Sequence, residues 1–496
     1  MARRLFPRLK RLSGVRPAAL DRRTVLAGLG ASSLFACVKR DGMIQPSESA
    51  PRVAVIGAGL AGLSCATRLL TKDIGVTLYE ANTRVGGRTF TDRTSFPGRT
   101  VDLGGEFVDS WHDQLRGLVS ALGLELDDTW EDDGVSEVLA TIQGDILNED
   151  QLELVEQQMK ERILAALVRH PFDPMSVTYK RSDAFDRAID AMSAAEWLDR
   201  NNIARDKART VLEAGFVSLY GGGLEEASAL VLLQEVIGSG PESDERFLVR
   251  GGAGQVAELL AQRFPPDVMK LQHRLLKVKS RTDGKVELTF DVAGQLKTET
   301  AEAVVLALPF SVLRDVEIDA PLSPAKKNAV SKLHYGAGSK LCVGFRGKPW
   351  RALDASGTVL SDSAFPYCWD ETRMQDTEDG VITFFTGGYE GRVLSRVDLN
   401  VQRAGLIEVL NRVFPGVRNA AKPENVLVTW ADEPFAKGGY ALYAPGQVTS
   451  MRGCEGEPEG KLFFAGEHTS LEAQGYMEGA VRSGVGAAKE VRALLD

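Results

Sequence analysis

Gly57-Ala58-Gly59-Leu60-Ala61-Gly62 follows the apolar run Val53-Ala54-Val55-Ile56, and Glu80 closes the next apolar run 23 positions after Gly57. That spacing suits phosphate and ribose. Gly57 permits a tight turn, Gly59 lets the backbone approach a pyrophosphate at a helix N-terminus, Gly62 allows close helix packing, and Glu80 accepts from a ribose hydroxyl. A dinucleotide is therefore expected. FAD is preferred over NAD because Gly86-Gly87-Arg88 follows so soon, with Gly87 freeing the backbone and Arg88 offering a guanidinium fork to phosphate. In Asp102-Leu103-Gly104-Gly105 the missing side chains of Gly104 and Gly105 would let the chain lie against a flat ring. Far along the chain, Phe463-Phe464-Ala465-Gly466-Glu467 reads as a strand ending in Gly-Glu, and Gly475-Tyr476-Met477-Glu478-Gly479-Ala480 opens a last helix. A helix N-terminus there would aim its dipole at an electron-rich cofactor.

These residues need a strand, a helix and a strand to position them, and the periodicity over residues 52–79 supplies that order. Residues 150–237 carry long helical patterns and predict a helical insertion, and short alternating runs predict strands at 274–279, 285–291, 303–308, 341–345 and 381–385. A final helix is expected from Ala480 to Leu494. The fold class is α/β: a Rossmann-like FAD-binding domain (51–110, 248–310 and 455–496) interleaved with an α+β substrate-binding domain (111–247 and 311–454) that contains the helical insertion. A chain of 496 residues suits two cores better than one.

A formal charge of −9 argues against nucleic acid as a partner. Five cysteines and five histidines, scattered without metal-ligand spacing, give no support to a metal site. The first fifty residues form a basic opening (Arg3, Arg4, Arg8, Lys10, Arg11, Arg16), then Arg22-Arg23 before a short apolar run, the pattern of a twin-arginine export signal. The translocase is then a partner, and the destination is the periplasm or the exterior. Leu34-Phe35-Ala36-Cys37 is similar to a lipoprotein cleavage box, although Phe35 is bulky for its place, and residues 38–50 read as a linker.

Taken in order, the motifs around Gly57–Gly62, Glu80, Gly86–Arg88, Asp102–Gly105, Arg250-Gly251-Gly252, Ala307-Leu308-Pro309, Lys340, Trp430, Gly438-Gly439-Tyr440, Ala465-Gly466-Glu467 and Gly475–Gly479 resemble the flavin monoamine oxidase family, with its polyamine and L-amino acid oxidases. The resemblance covers residues 51–490. It implies that Glu80 and Arg88 hold the adenosine and pyrophosphate, that backbone near Leu275 meets the adenine, that Glu467 lies by the ribityl chain, and that Met477 belongs to the cofactor set. It further implies that Trp430 packs beside the flavin ring, that Tyr440 and Tyr476 flank the substrate amine, and that Lys340 is water-bridged to flavin N5. Covalently flavinylated members carry cysteine where this chain has Gly439, so FAD is expected to be non-covalent. Glu106 has two readings, attraction of a cationic substrate group or a solvated or structurally paired carboxylate. The implied reaction is oxidation of a primary amine, polyamine or L-amino acid, with oxygen reduced to hydrogen peroxide. Two alternatives are a flavin desaturase or dehydrogenase acting on an apolar substrate and a non-catalytic flavoprotein subunit. A homodimer is a further expectation.

Overall fold

The computed structural model describes residues 50–496 apart from 71–73, 133–134, 136–137, 168–172 and 239–242. Arg22, Arg23 and Cys37, on which the export and lipidation expectations rest, lie outside the described residues.

Val53–Ile56, Ala303–Leu306 and Leu462–Phe464 are almost wholly buried. Such unbroken apolar runs are what a parallel sheet covered on both faces requires. They join Gly75–Tyr79 and Met269–Lys270 in a five-stranded parallel sheet, in the spatial order 269–270, 75–79, 52–56, 303–306, 462–464. Helix Leu60–Leu70 runs back along this sheet and receives helix Met477–Leu495, which approaches closely because a Cβ on Gly484 would stand 2.1 Å from the Ala61 carbonyl oxygen. No described helix is long and apolar enough to cross a membrane.

The second large sheet has seven strands, ordered Ala421–Thr429, Ser339–Phe345, Gly380–Thr386, Tyr367–Asp370, Val359–Ser361, Leu139–Ile142 and Asp145–Leu147. Strand Ala421–Thr429 has no counterpart among the sequence-based expectations. It contains Pro423, tolerated because the strand lies at the sheet edge. The expected helical insertion is present as a set of helices, the longest being Glu149–Leu167 and Lys207–Tyr220. Helix Lys207–Tyr220 ends at Gly221, which takes the left-handed conformation at φ 61°. A separate four-stranded sheet, with Arg274–Ser280 and Val286–Val292 as its inner strands, carries Leu275 to the nucleotide side.

Candidate active site

One cavity of about 480 Å³ runs between the two large sheets, and the expected cofactor residues converge on it. At one end Glu80 takes N–H bonds from Ala58 and Asn82, each 2.7 Å, and burial pushes its carboxyl up against the pull of those donors. Gly57, at φ 102°, makes the turn after the first strand, and Gly62 closes on it: a Cβ there would lie 1.9 Å from the Gly57 carbonyl oxygen. Gly59 differs. Its nearest neighbour for a Cβ is the Gly86 oxygen at 4.0 Å, and the remaining side is the cavity. The loop after Glu80 is fastened opposite by the Gly86 N–H donating to Ala58 O at 2.8 Å. Two glycine loops thus make a cradle that a side chain would fill, beside the helix N-terminus at Leu60 whose first N–H groups have no helical acceptor. The residues present fit FAD.

Several expected roles change on closer inspection. Nη1 of Arg88 donates to Gly439 O at 2.7 Å and to Glu467 at 2.8 Å, leaving the rest of its fork for a phosphate. Glu467 is not standing open to a ribityl chain. Its carboxylate joins Arg88, the Ala441 N–H at 3.2 Å and the Gly475 N–H at 2.9 Å, tying three segments into one wall. Gly104 and Gly105 line the cavity, and side chains are excluded there because Cβ atoms would meet Arg88 O at 2.0 Å and Met477 Cγ at 3.0 Å.

Lys340 is the second residue of strand Ser339–Phe345 and is buried. An ammonium has three N–H donors. All three are spent, on Asp102 O at 2.5 Å, Gly104 O at 3.0 Å and Glu106 Oε2 at 2.9 Å. Burial works against its charge, but Glu106 and Glu371 outweigh burial and hold the ammonium above the usual lysine range. The implied water bridge is therefore corrected: the charge of Lys340 reaches the cavity, while its hydrogen bonds go to protein. Glu106 is likewise corrected as a substrate anchor, because one oxygen takes Lys340 and the other takes the Trp369 indole N–H at 2.9 Å.

Sheet register builds the aromatic wall. Phe385 pairs with both Lys340 and Tyr367, and Thr383 pairs with both Cys342 and Trp369, so these two rows share one face of the sheet. Phe107 and Tyr367 stand 5.5 Å from Trp369, and Tyr440 packs against the same cluster. Trp430 donates to Leu103 O at 3.0 Å. Tyr476, the residue before the last helix, is held edge-on by His112 at 5.0 Å and Trp111 at 5.4 Å. Lys340, Trp430, Tyr440, Tyr476, Leu275 and Met477 all line the cavity. Sequence reasoning missed Tyr367, Trp369, Glu371, Phe385 and His112. The one available signal was alternation, since Tyr367 and Trp369 fall two apart on one strand and Glu371 continues the spacing just past its end.

This combination defines a dinucleotide-dependent enzyme with an aromatic pocket at the far end of its cofactor cavity. The family described as flavin containing amine oxidoreductase matches residues 60–492, and the chain belongs to it. FAD is its cofactor. Among relatives, flavin-containing amine oxidase B of Mus musculus is 26% identical over 478 residues, covering 88% of this chain and 85% of its own. A protein of Mycobacterium tuberculosis named as a flavin-containing monoamine oxidase, AofH, is 28% identical over 462 residues, covering 89% and 97%. In fold, the chain is similar to cyclohexylamine oxidase from Brevibacterium oxydans, with a TM-score of 0.78 and 23% identity over 90% of this chain and 99% of that one. Putrescine oxidase bound to putrescine gives a TM-score of 0.75 at 22% identity, over 89% and 99%.

Proposed function

We propose that this protein oxidises small primary amines with an apolar body, producing a carbonyl compound, ammonia and hydrogen peroxide from the amine, water and oxygen. The observation that carries the reading is the pocket itself. Tyr367, Trp369, Phe385, Tyr440 and Tyr476 line it, and Lys340, 5.0 Å from the Trp369 ring, is bonded to a carboxylate, as is Arg88. An amino acid would bring a second carboxylate to a cation, Lys340, that Glu106 already balances, at the cost of burying an unpaired charge. FAD, which Glu80, Arg88 and the glycine loops would hold, would supply the chemistry of accepting a hydride from the carbon beside the nitrogen and passing the electrons to oxygen. Tyr440 and Tyr476 orient the amine between π faces, and the enclosed walls exclude water and favour the neutral amine that the reaction needs. A peroxide-coupled screen of purified protein against aryl and cycloalkyl amines, polyamines and L-amino acids tests this. Preference for either of the last two groups rejects it.

Tyr440→Ala and Tyr476→Ala should each lower kcat/KM for amines at least tenfold while flavin stays bound, because both rings orient substrate and make no backbone cradle. Loss of flavin absorbance from either variant would reassign that tyrosine to structure. Non-covalent attachment follows from Gly439, so acid precipitation should leave yellow flavin in the supernatant, and flavin in the pellet contradicts it. Export by the twin-arginine route belongs to the same proposal: Arg22→Lys with Arg23→Lys should hold the activity in the cytoplasm, and unchanged export counts against it.

A further inference from the structure

Tyr476 is the last residue before helix Met477–Leu495, and the rings that meet it edge-on, His112 and Trp111, come from the loop ahead of helix Asp113–Ala121. Both rings lead to one carboxylate. Asp109 is buried and gives Oδ1 to the Glu245 N–H at 2.7 Å, while its Oδ2 accepts from the Trp111 indole N–H at 3.1 Å and lies 3.4 Å from His112 Nε2. The Asp109 N–H itself donates to His112 Nδ1 at 3.0 Å. Glu245 lines the cavity in the left-handed backbone region, at φ 43°, so Asp109 is held from the pocket side as well.

These bonds determine the state of the imidazole. A ring nitrogen that accepts an N–H carries no hydrogen, so Nδ1 is bare and the ring hydrogen is on Nε2, the nitrogen near Asp109 Oδ2. Protonating Nδ1 would set two N–H groups against each other. His112, itself buried, therefore stands behind Tyr476 as a neutral ring that one residue grips at both nitrogens, and it adds no positive charge to repel an incoming ammonium. The loop has a second fastening: Glu478, two residues past Tyr476, takes the Gln114 and Leu115 N–H groups at 3.1 and 2.7 Å. Loss of the imidazole nitrogens should accordingly leave the loop docked and free the rings.

We propose that His112 is a positioning residue for amine oxidation, a neutral imidazole fixed by Asp109 that holds Tyr476 at the angle which aims the substrate's α-carbon at the flavin. The inference rests on the functional reading, in which Tyr476 flanks the amine.

Rapid-mixing measurements on the FAD-loaded enzyme test it, with whichever of benzylamine, cyclohexylamine and putrescine wild type oxidises fastest. His112→Phe keeps an aromatic ring but removes both anchored nitrogens. Asp109→Asn puts an NH2 group against either the Glu245 N–H or the Trp111 N–H, whichever way the amide turns. Each variant should slow anaerobic reduction of the flavin at least about fivefold, while oxidation of the reduced enzyme by oxygen stays within about twofold of wild type. In a Tyr476→Ala background, His112→Phe should slow reduction by less than about twofold further, because its effect passes through that ring. Equal slowing of both half-reactions, or an undiminished effect of His112→Phe without Tyr476, overturns the proposal. Tyr476→Ala that reduces as fast as wild type overturns the cage reading and the inference with it; a slow Tyr476→Ala beside an unaffected His112→Phe overturns the inference alone. Nuclear magnetic resonance of isotope-labelled histidine gives a readout that needs no substrate. The His112 resonances, identified by their loss in His112→Phe or His112→Gln, should show hydrogen on Nε2 and a bare Nδ1 at neutral pH, and an imidazolium or an Nδ1–H form overturns the proposal.

Discussion

Lys340→Met should destabilise the protein by roughly 3–5 kcal/mol, because it strips the partner from a carboxylate in a buried ion pair. Glu106 is buried, and its other oxygen holds only an indole N–H, which cannot neutralise it. The same substitution removes the positive charge that lines the cavity. Oxygen takes up electrons as a small anion in a poorly solvated place, where a nearby ammonium is worth several kcal/mol. Oxidation of the reduced enzyme by oxygen should therefore slow at least tenfold, while anaerobic reduction by amine changes less. Rapid-mixing measurements separate the two. An oxygen reaction as fast as in wild type removes Lys340 from the chemistry and leaves it the structural role.

Gly59→Ala and Gly62→Ala differ by three positions and should fail in opposite ways. At Gly62 the added methyl has nowhere to go, since the Gly57 carbonyl oxygen lies 1.9 Å from its position and belongs to the backbone of a tight turn. Overpacking of that kind costs on the order of 1–3 kcal/mol or more and should lower the melting temperature of the apoprotein. At Gly59 the methyl meets nothing nearer than 4.0 Å. The Gly59→Ala apoprotein should melt as wild type does, yet bind FAD at least tenfold more weakly, because the methyl projects where the pyrophosphate must approach. Fluorescence titration with FAD beside a melting curve gives both numbers. Equal melting curves for the two variants would show that Gly62 is not a packing point.

The nucleotide end was readable in the sequence because backbone geometry admits few residue types there. A turn at φ 102° and a helix lying against its own turn call for glycine at Gly57 and Gly62, and buried parallel strands show as plain apolar runs. The pocket end was not readable in the same way. Phe385, Tyr367 and Lys340 become one row only through the register of three antiparallel strands, and register is a property of the assembled sheet. Glu371 looked like one acid among many until Asp102, Thr383 and Trp369 were folded around it. Gly104 and Gly105 show the converse case. Their type was informative, but the bodies pressing on them are Arg88 and Met477, one nearby in sequence and one at the start of the final helix.

The parallel sheet also sets a timetable for synthesis. Strand Arg52–Ile56 emerges from the ribosome early, yet the row it begins is closed by Leu462–Phe464, about 400 residues later, and the helix that clamps Leu60–Leu70 from outside follows after that. Until then the glycine loop faces a half-built groove with one edge strand exposed to other chains. Nascent protein should thus be unable to hold FAD during elongation, and shortage of the cofactor should be felt as aggregation of newly finished chains.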